Sequence, residues 1–205
     1  MITIVDCGVG NLGSLLNMMK KIGVETIVSS RLPDIEKAEK LILPGVGSFD
    51  SGIKNLDNSG MIPILNRRVI EEKIPLLGVC LGMQLLTKKS EEGKLSGLGW
   101  IDAETVKFEF NENRKDFKIP HMGWGLVNLK KDSALFRQMY QPAKFYFAHS
   151  YHVICYDKEN ILASTDYGYE FTSVVQKKNI FGVQFHPEKS HKYGLRLLDN
   201  FVKLT

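Results

Sequence analysis

The chain of 205 residues is poor in cysteine, with three, at positions 7, 80 and 155. An odd count without framework spacing excludes a disulfide scaffold and points to reduced thiols. Nowhere does an apolar run approach the roughly 18 to 20 residues of a membrane span. The start, MITIVDC, reads as a strand and has no basic n-region or cleavage site. A cytoplasmic location is therefore expected, with no membrane partner. Basic residues exceed acidic ones only slightly, 27 against 23, and are scattered as KK, RR and K-x-x-K. Without a basic stripe interleaved with aromatics, nucleic acid is not an expected partner. No spacing of His, Cys, Asp or Glu suits a metal, and no cofactor is expected. Repeats, low-complexity tracts and linkers are missing too.

What is present fits one domain over residues 1–205. With 43% hydrophobic residues, the chain can bury one substantial core but is short for two domains. ITIVD, ETIVSS, KLILPG and PLLGVC read as strands. NLGSLLNMMKKIG carries apolar positions at helical spacing, at Leu12, Leu15, Leu16, Met19 and Ile22, before a stop at Gly23. This βαβ rhythm predicts a mostly parallel sheet with helices on both faces and ligands at the carboxyl ends of its strands. From about residue 100 the strands AETVKFEF, KFYFAHSYHVIC, ILASTDYG, FTSVVQ and IFGVQF lie too close together for intervening helices. They read as added hairpins around a polar turn at 111–116. SHKYGLRLLDNFVKL, with Tyr193, Leu195, Leu198 and Phe201 on one face, should close the fold as a helix.

Three stretches carry chemistry. Residues 78–82, Gly-Val-Cys-Leu-Gly, stand where a strand should become a helix. A Gly-x-nucleophile-x-Gly pentapeptide there is a nucleophile elbow, in which the glycines permit a sharp turn and the reactive atom projects above the sheet edge. Backbone N–H groups at the helix start favour a Cys80 thiolate, and the N–H after the nucleophile can bond an oxyanion. A small buried core cysteine is the plain alternative. In FGVQFHPEKS, 181–190, a period-two strand ending near Pro187 puts Gln184, His186 and Glu188 on one side. His186 can then take a proton from Cys80 while Glu188 orients the ring. His149 and His152, three apart on one strand, should face opposite ways, and His191 reads as surface. LILPGVGSFD, 41–50, ends a strand at Pro44, Gly45, Val46 and Gly47. It can aim a second N–H at an oxyanion beside that of Leu81, ahead of a helix capped by Ser48 or Asp50.

LPGVGSF, GVCLGMQLL and FGVQFHPEKS together resemble, in order and spacing, the class I (triad) glutamine amidotransferases. The chain looks most like the glutaminase subunits of imidazole glycerol phosphate synthases, with further similarity in DCGVGNLGS, IPHMGWG and FYFAHSYHV. The resemblance runs over nearly the whole chain. It implies a flavodoxin-like α/β fold, glutamine as substrate, and a heterodimer with a (β/α)8 synthase (cyclase) that receives ammonia through a tunnel in histidine biosynthesis. It also implies that Cys80 attacks the side-chain amide, His186 shuttles the proton and Glu188 orients His186. Leu81 with Gly45 or Val46 would hold the oxyanion, the second group after a partner-triggered peptide flip. Gln84, Glu92, Ser150 and Tyr151 match positions that hold the substrate, and Asn11, Trp124 and the neighbourhood of His121 match the face toward the synthase.

Two departures touch the acceptor and not the triad. Gly125 replaces the family's usual Asn, and Thr87, Lys88 and Lys89 replace an aromatic–acidic stretch. The C-terminal EKSHKYGLRLLDNF also looks like paralogues that supply ammonia for amidation of a nucleotide sugar in surface-polysaccharide synthesis, which is the alternative acceptor. GVGNLG at 8–13 formally satisfies G-x-G-x-x-G, with Arg31 after the second strand, and would suit an NADP-binding oxidoreductase. That reading leaves the elbow, PGVG and HPE without a role. A γ-glutamyl or peptide hydrolase of the same fold would act without a partner.

Overall fold

Alternating apolar runs and helical patterns in the first half fold as parallel strands joined by helices. The structure is a computed structural model describing residues 1–8, 10–110 and 117–204, so the polar turn read at 111–116 lies outside the described residues. The strands are β1 (Ile2–Val5), β2 (Thr26–Ser29), β3 (Lys40–Gly45) and β4 (Leu76–Cys80). Between them lie α1 (Leu12–Ile22), α2 (Leu32–Glu36), α3 (Phe49–Asn58) and α4 (Met61–Asn66), and α5 (Leu81–Leu85) leaves β4 without a connecting loop. α1 stops where its sequence says it should. Gly23 takes a left-handed φ of 83°, and its N–H meets the Lys20 and Met19 carbonyls.

The second half contributes β5 (Ala103–Lys107), β6 (His121–Leu126), β7 (Asn128–Leu129), β8 (Lys144–His149), β9 (Tyr151–Cys155), β10 (Ile161–Asp166), β11 (Glu170–Lys177) and β12 (Ile180–Val183). α6 (His191–Val202) closes the fold, burying Tyr193, Leu197, Leu198 and Phe201. The main sheet has the order β2-β1-β3-β4-β12-β11-β10-β7. Its first five strands pair in parallel and the rest antiparallel. The chain thus returns late, through β12, to lay a fifth parallel strand beside β4. β9 branches off β11 to pair β5, and β6 with β8 makes a separate two-stranded ribbon.

Strand alternation sorts side chains into two cores, one on each face of the sheet. Ile42, Leu77 and Val79 join α1, α6 and the aromatic side chains of the ribbon. Leu41, Leu43 and Leu76 join α3, α4 and α5. No helix among the described residues is long and apolar enough to cross a membrane.

One expectation fails here. His149 and His152 do not sit on one strand, because the chain breaks at Ser150 between β8 and β9. Both rings consequently pack against Phe108, with centroids 5.3 and 4.6 Å away. His121, opposite His149 in the β6–β8 ribbon, completes a buried histidine cluster. Burial pulls the pKa of His121 to about 4, that of His149 to about 3 and that of His152 to about 4. Each ring is more basic in the unfolded chain, so protons favour unfolding between these values and the ordinary histidine value. Each ring removes about 1.4 kcal/mol of stability per pH unit descended through that window. Denaturant titrations should therefore show stability falling steeply from pH 6.5 to 4.5, with His152→Phe visibly flattening the slope. An unchanged slope in that variant would show that His152 is not held neutral.

Candidate active site

β3, β4 and β12 end side by side, and their carboxyl ends carry the three stretches singled out above. Gly45 pairs with Cys80, and Val183 pairs with Val79, so Gln184 runs past the strand end next to the cysteine. Cys80 itself adopts φ 54° and ψ −110°, a left-handed backbone that a side chain rarely takes. The flanking glycines serve a purpose other than the expected one. Neither Gly78 nor Gly82 has a positive φ. Each is needed for space instead: a Cβ on Gly82 would lie 1.8 Å from the Leu43 carbonyl oxygen, and one on Gly78 would lie 2.8 Å from that of Gly82. Only a chain without side chains at both positions lets α5 start so close to β3 that Cys80 is forced into its corner.

His186 also differs from expectation in how it is placed. β12 ends at Val183, and Pro187–Lys189 forms a 3-10 turn, so Glu188 is not on a strand with His186. A bend at Gln184 and Phe185 sends Phe185 into the core, where it stacks on Phe145 with centroids 3.9 Å apart. Gln184 and His186 then turn the other way, toward Cys80. The His186 N–H donates to the Tyr146 carbonyl at 2.8 Å, which ties the turn to β8. His186 Nδ1 meets Glu188 Oε1 at 2.9 Å, both side chains being nearly inaccessible. Cys80 is the ring's other electrostatic partner. Burial works against its charge, but bonds to Cys80 and Glu188 and the charge on both raise its pKa to about 10. Such a ring holds its proton at neutral pH.

A pocket of about 310 Å³ opens beside this pair, lined by Val46, Leu81, Gln84, Glu92, Ser150 and Tyr151 along with Cys80 and His186. Its size suits a small amino-acid amide, and its walls offer carboxylate, amide and backbone groups.

The class I glutamine amidotransferase model matches residues 3–204. The chain belongs to the class I glutamine amidotransferases. Among curated relatives of this amidotransferase, the Methanococcus maripaludis protein named imidazole glycerol phosphate synthase subunit HisH 2 is 57% identical, with 99% of each chain covered. The Pseudomonas aeruginosa protein of the same name is 48% identical, with both chains covered in full. A solved glutamine amidotransferase superposes with a TM-score of 0.73 at 17% identity, covering 98% of this chain and 97% of that one, which shows the shared fold.

Some residues of the amidotransferase site stand elsewhere than expected. Gly45 lies beneath the pocket on β3, where a Cβ would come 2.8 Å from that of Leu81. Glu92 reaches the pocket wall, but its Oε2 accepts from the Phe49 N–H at 2.8 Å, heading α3 in place of Ser48, whose side chain makes no cap bond. Asp50 does not cap either; its carboxylate accepts from the Lys94 and Leu95 N–H groups at 3.0 Å. Gln84 is buried, and its Nε2 donates to the Tyr151 carbonyl at 3.2 Å and Gln184 Oε1 at 3.1 Å. Pocket residues missed in the sequence are Pro120, Met122, Ala148, His149 and Lys189. Gly47, named there with the Pro44–Gly47 stretch, lines the pocket at φ 102°.

Of the residues matched to a partner face, Trp124 is 45% exposed and Asn11 is partly buried at the head of α1. His121 is buried, because alternation along β6 turns it inward and leaves Met122, Trp124 and Leu126 outward. Described residues at the glycine-rich stretch are tied into the amidotransferase fold: Asn55 Nδ2 donates to the Cys7 carbonyl at 2.8 Å, and Gly10 packs against Pro44.

The strain at Cys80 is measurable. Left-handed geometry at a non-glycine residue stores about 1–3 kcal/mol, and glycine forfeits about 0.5–1 kcal/mol of that through its freer unfolded chain. Cys80→Gly should accordingly be about 1 kcal/mol more stable than Cys80→Ala in denaturant titrations. Equal or lower stability would mean the corner is unstrained.

Proposed function

We propose that this chain, acting as one domain over residues 1–205, is the glutaminase subunit of an imidazole glycerol phosphate synthase in histidine biosynthesis. It hydrolyses glutamine to glutamate and passes ammonia to a (β/α)8 synthase partner. The observation that carries the proposal is the Cys80–His186–Glu188 constellation at a pocket of about 310 Å³, in a chain whose full-length relatives share that subunit name.

The thiolate of Cys80 attacks the side-chain amide carbon of glutamine, forming a C–S bond and a tetrahedral oxyanion. Leu81 N–H and an N–H of the Gly45–Gly47 loop hold that oxygen. His186 delivers its proton to the leaving nitrogen, the C–N bond breaks, and a γ-glutamyl thioester and ammonia result. Water then attacks the thioester with His186 as base, breaking the C–S bond and releasing glutamate. Glu188 keeps Nδ1 of His186 engaged, so Nε2 is the nitrogen that carries the proton. Gln84, Glu92, Ser150 and Tyr151 surround the substrate's amino-acid end.

Met122, Trp124 and Leu126 expose 64%, 45% and 52% of their surface on one side of β6, and Met122 also lines the pocket. A contiguous apolar strip at the mouth of a site is suited to docking a partner that seals it. Ammonia released into such a sealed space reaches the acceptor before it is protonated and lost as a nucleophile. Cys80 and Cys155, as thiols, suit the cytoplasm.

Replacing Cys80 with alanine should abolish glutamine-dependent turnover of the assembled complex and leave ammonium-dependent turnover intact; surviving glutaminase activity refutes the assignment. The purified chain alone should hydrolyse glutamine at least tenfold more slowly than the complex with acceptor ligand, because the partner completes the oxyanion site, a gain equivalent to about 1.4 kcal/mol of barrier. Brisk hydrolysis by the isolated chain would favour a partner-independent hydrolase. The protein that co-purifies, a histidine-pathway cyclase or a sugar amidotransferase, decides the acceptor.

A further inference from the structure

Gln184 is fully buried, has no part in the triad, and places Nε2 3.7 Å from Cys80 Sγ in donor geometry. Its place follows from register: Val183 pairs with Val79, so the next residue falls beside the cysteine, on the opposite side from Phe185 in the core.

The surrounding bonds settle which end of its amide faces sulfur. The Tyr151 carbonyl can only accept, and it receives His149 Nδ1 at 2.7 Å and Gln84 Nε2 at 3.2 Å. Gln84 is therefore oriented with its nitrogen toward that carbonyl, and the same nitrogen lies 3.1 Å from the Gln184 side-chain oxygen. With its oxygen so engaged, Gln184 must present its NH₂ to the thiol. The orientation of His149 is fixed in turn. Its Nδ1 carries hydrogen for Tyr151, so its Nε2 accepts from His121 Nδ1 at 3.1 Å. His149 and Gln84 thus both donate to the Tyr151 carbonyl, and from Gln84 donation runs on through Gln184 to the nucleophile.

We propose that Gln184 is a catalytic residue whose amide donates to the Cys80 thiolate, and that Gln84 is a positioning residue that holds the amide in that orientation. An N–H aimed at sulfur stabilises the anion more than the thiol, because a charge-assisted bond is about twice as strong as a neutral one. The donor matters most in the resting enzyme and again when the thiolate departs from the thioester. His186 supplies the proton for nitrogen; Gln184 supplies no proton and only holds charge on sulfur. The inference rests on Cys80 being the nucleophile of the proposed glutaminase.

The test reads the thiol without glutamine or a partner. The full chain is treated with iodoacetamide, whose primary amide resembles that of glutamine, from pH 5 to 10, and Cys80 labelling is followed by peptide mass. Cys155 is a quiet background, since burial pushes its thiol up to about 12, and Cys80→Ala gives the remaining background from Cys7. The midpoint belongs to the Cys80–His186 pair. Gln184→Met and the smaller, still polar Gln184→Asn should both move it upward by about one pH unit, slowing labelling about tenfold below the midpoint. Gln84→Met should shift it the same way by less, and should add nothing in the Gln184→Met background. Superimposable profiles for folded Gln184→Asn and the parent chain, or a downward shift, would overturn the inference. Circular dichroism establishes folding, and Gln184→Asn carries the test if Gln184→Met does not fold. Normal labelling shifts in a complex that never uses glutamine would sink the glutaminase reading and leave this one standing; glutaminase activity with unshifted profiles would do the reverse.

Discussion

The approach of α5 to β3 is the constraint on which the site depends. Backbone meets backbone there, with no room for a Cβ on Gly82 against the Leu43 carbonyl or on Gly78 against Gly82. Packing this tight closes the strand-to-helix junction within one residue, and that residue is Cys80, held left-handed at φ 54°. The buried leucines of β3 and α5 supply the apolar burial that offsets the strain. The corner brings Cys80 and Leu81 to the wall of the same pocket.

Histidine is used in two opposite electrical states within a short distance. His121, His149 and His152 are enclosed by aromatic rings around Phe108 and are kept neutral by burial. His186 is also buried, but Glu188 and Cys80 supply compensating negative charge and hold its proton on. What separates the two states is the partner each ring meets, since burial alone pushes all four the same way. The neutral cluster is valuable for its directionality. A neutral imidazole donates from one nitrogen and accepts at the other, so His149 can accept from His121 and donate to the Tyr151 carbonyl, whereas protonated rings would repel each other.

The late return of the chain through β12 joins chemistry from the two halves. Cys80, Leu81 and Val46 come from the parallel βαβ half. His186, Glu188 and the pocket-lining Ser150 and Tyr151 come from the half rich in hairpins. The β6–β8 ribbon stands outside the main sheet and is free to present an apolar edge at the pocket mouth. The same ribbon turns His121 and His149 inward, so one two-stranded element serves the outer surface with alternate residues and the inner network with the others.

The parallel strands, the helix stop at Gly23, the closing helix and the candidate trio Cys80, His186 and Glu188 were all legible in the amino-acid order, because each rests on local spacing: period two, period 3.6, or a short motif at a strand end. Local spacing also misled where the chain broke. His149 and His152 were read on one strand, and Glu188 on the strand of His186, because neither the break at Ser150 nor the 3-10 turn at Pro187–Lys189 shows in a hydrophobic pattern. Ser48 and Asp50 looked like helix caps, yet Glu92, from more than forty positions away, bonds Phe49 instead. Sequence alone thus determined which residues could react and roughly where each strand ends. Tertiary structure decided which of them meet, which way Gln84 and Gln184 point, and which histidines carry charge, since these depend on partners brought together across the sheet and on the water that packing excludes.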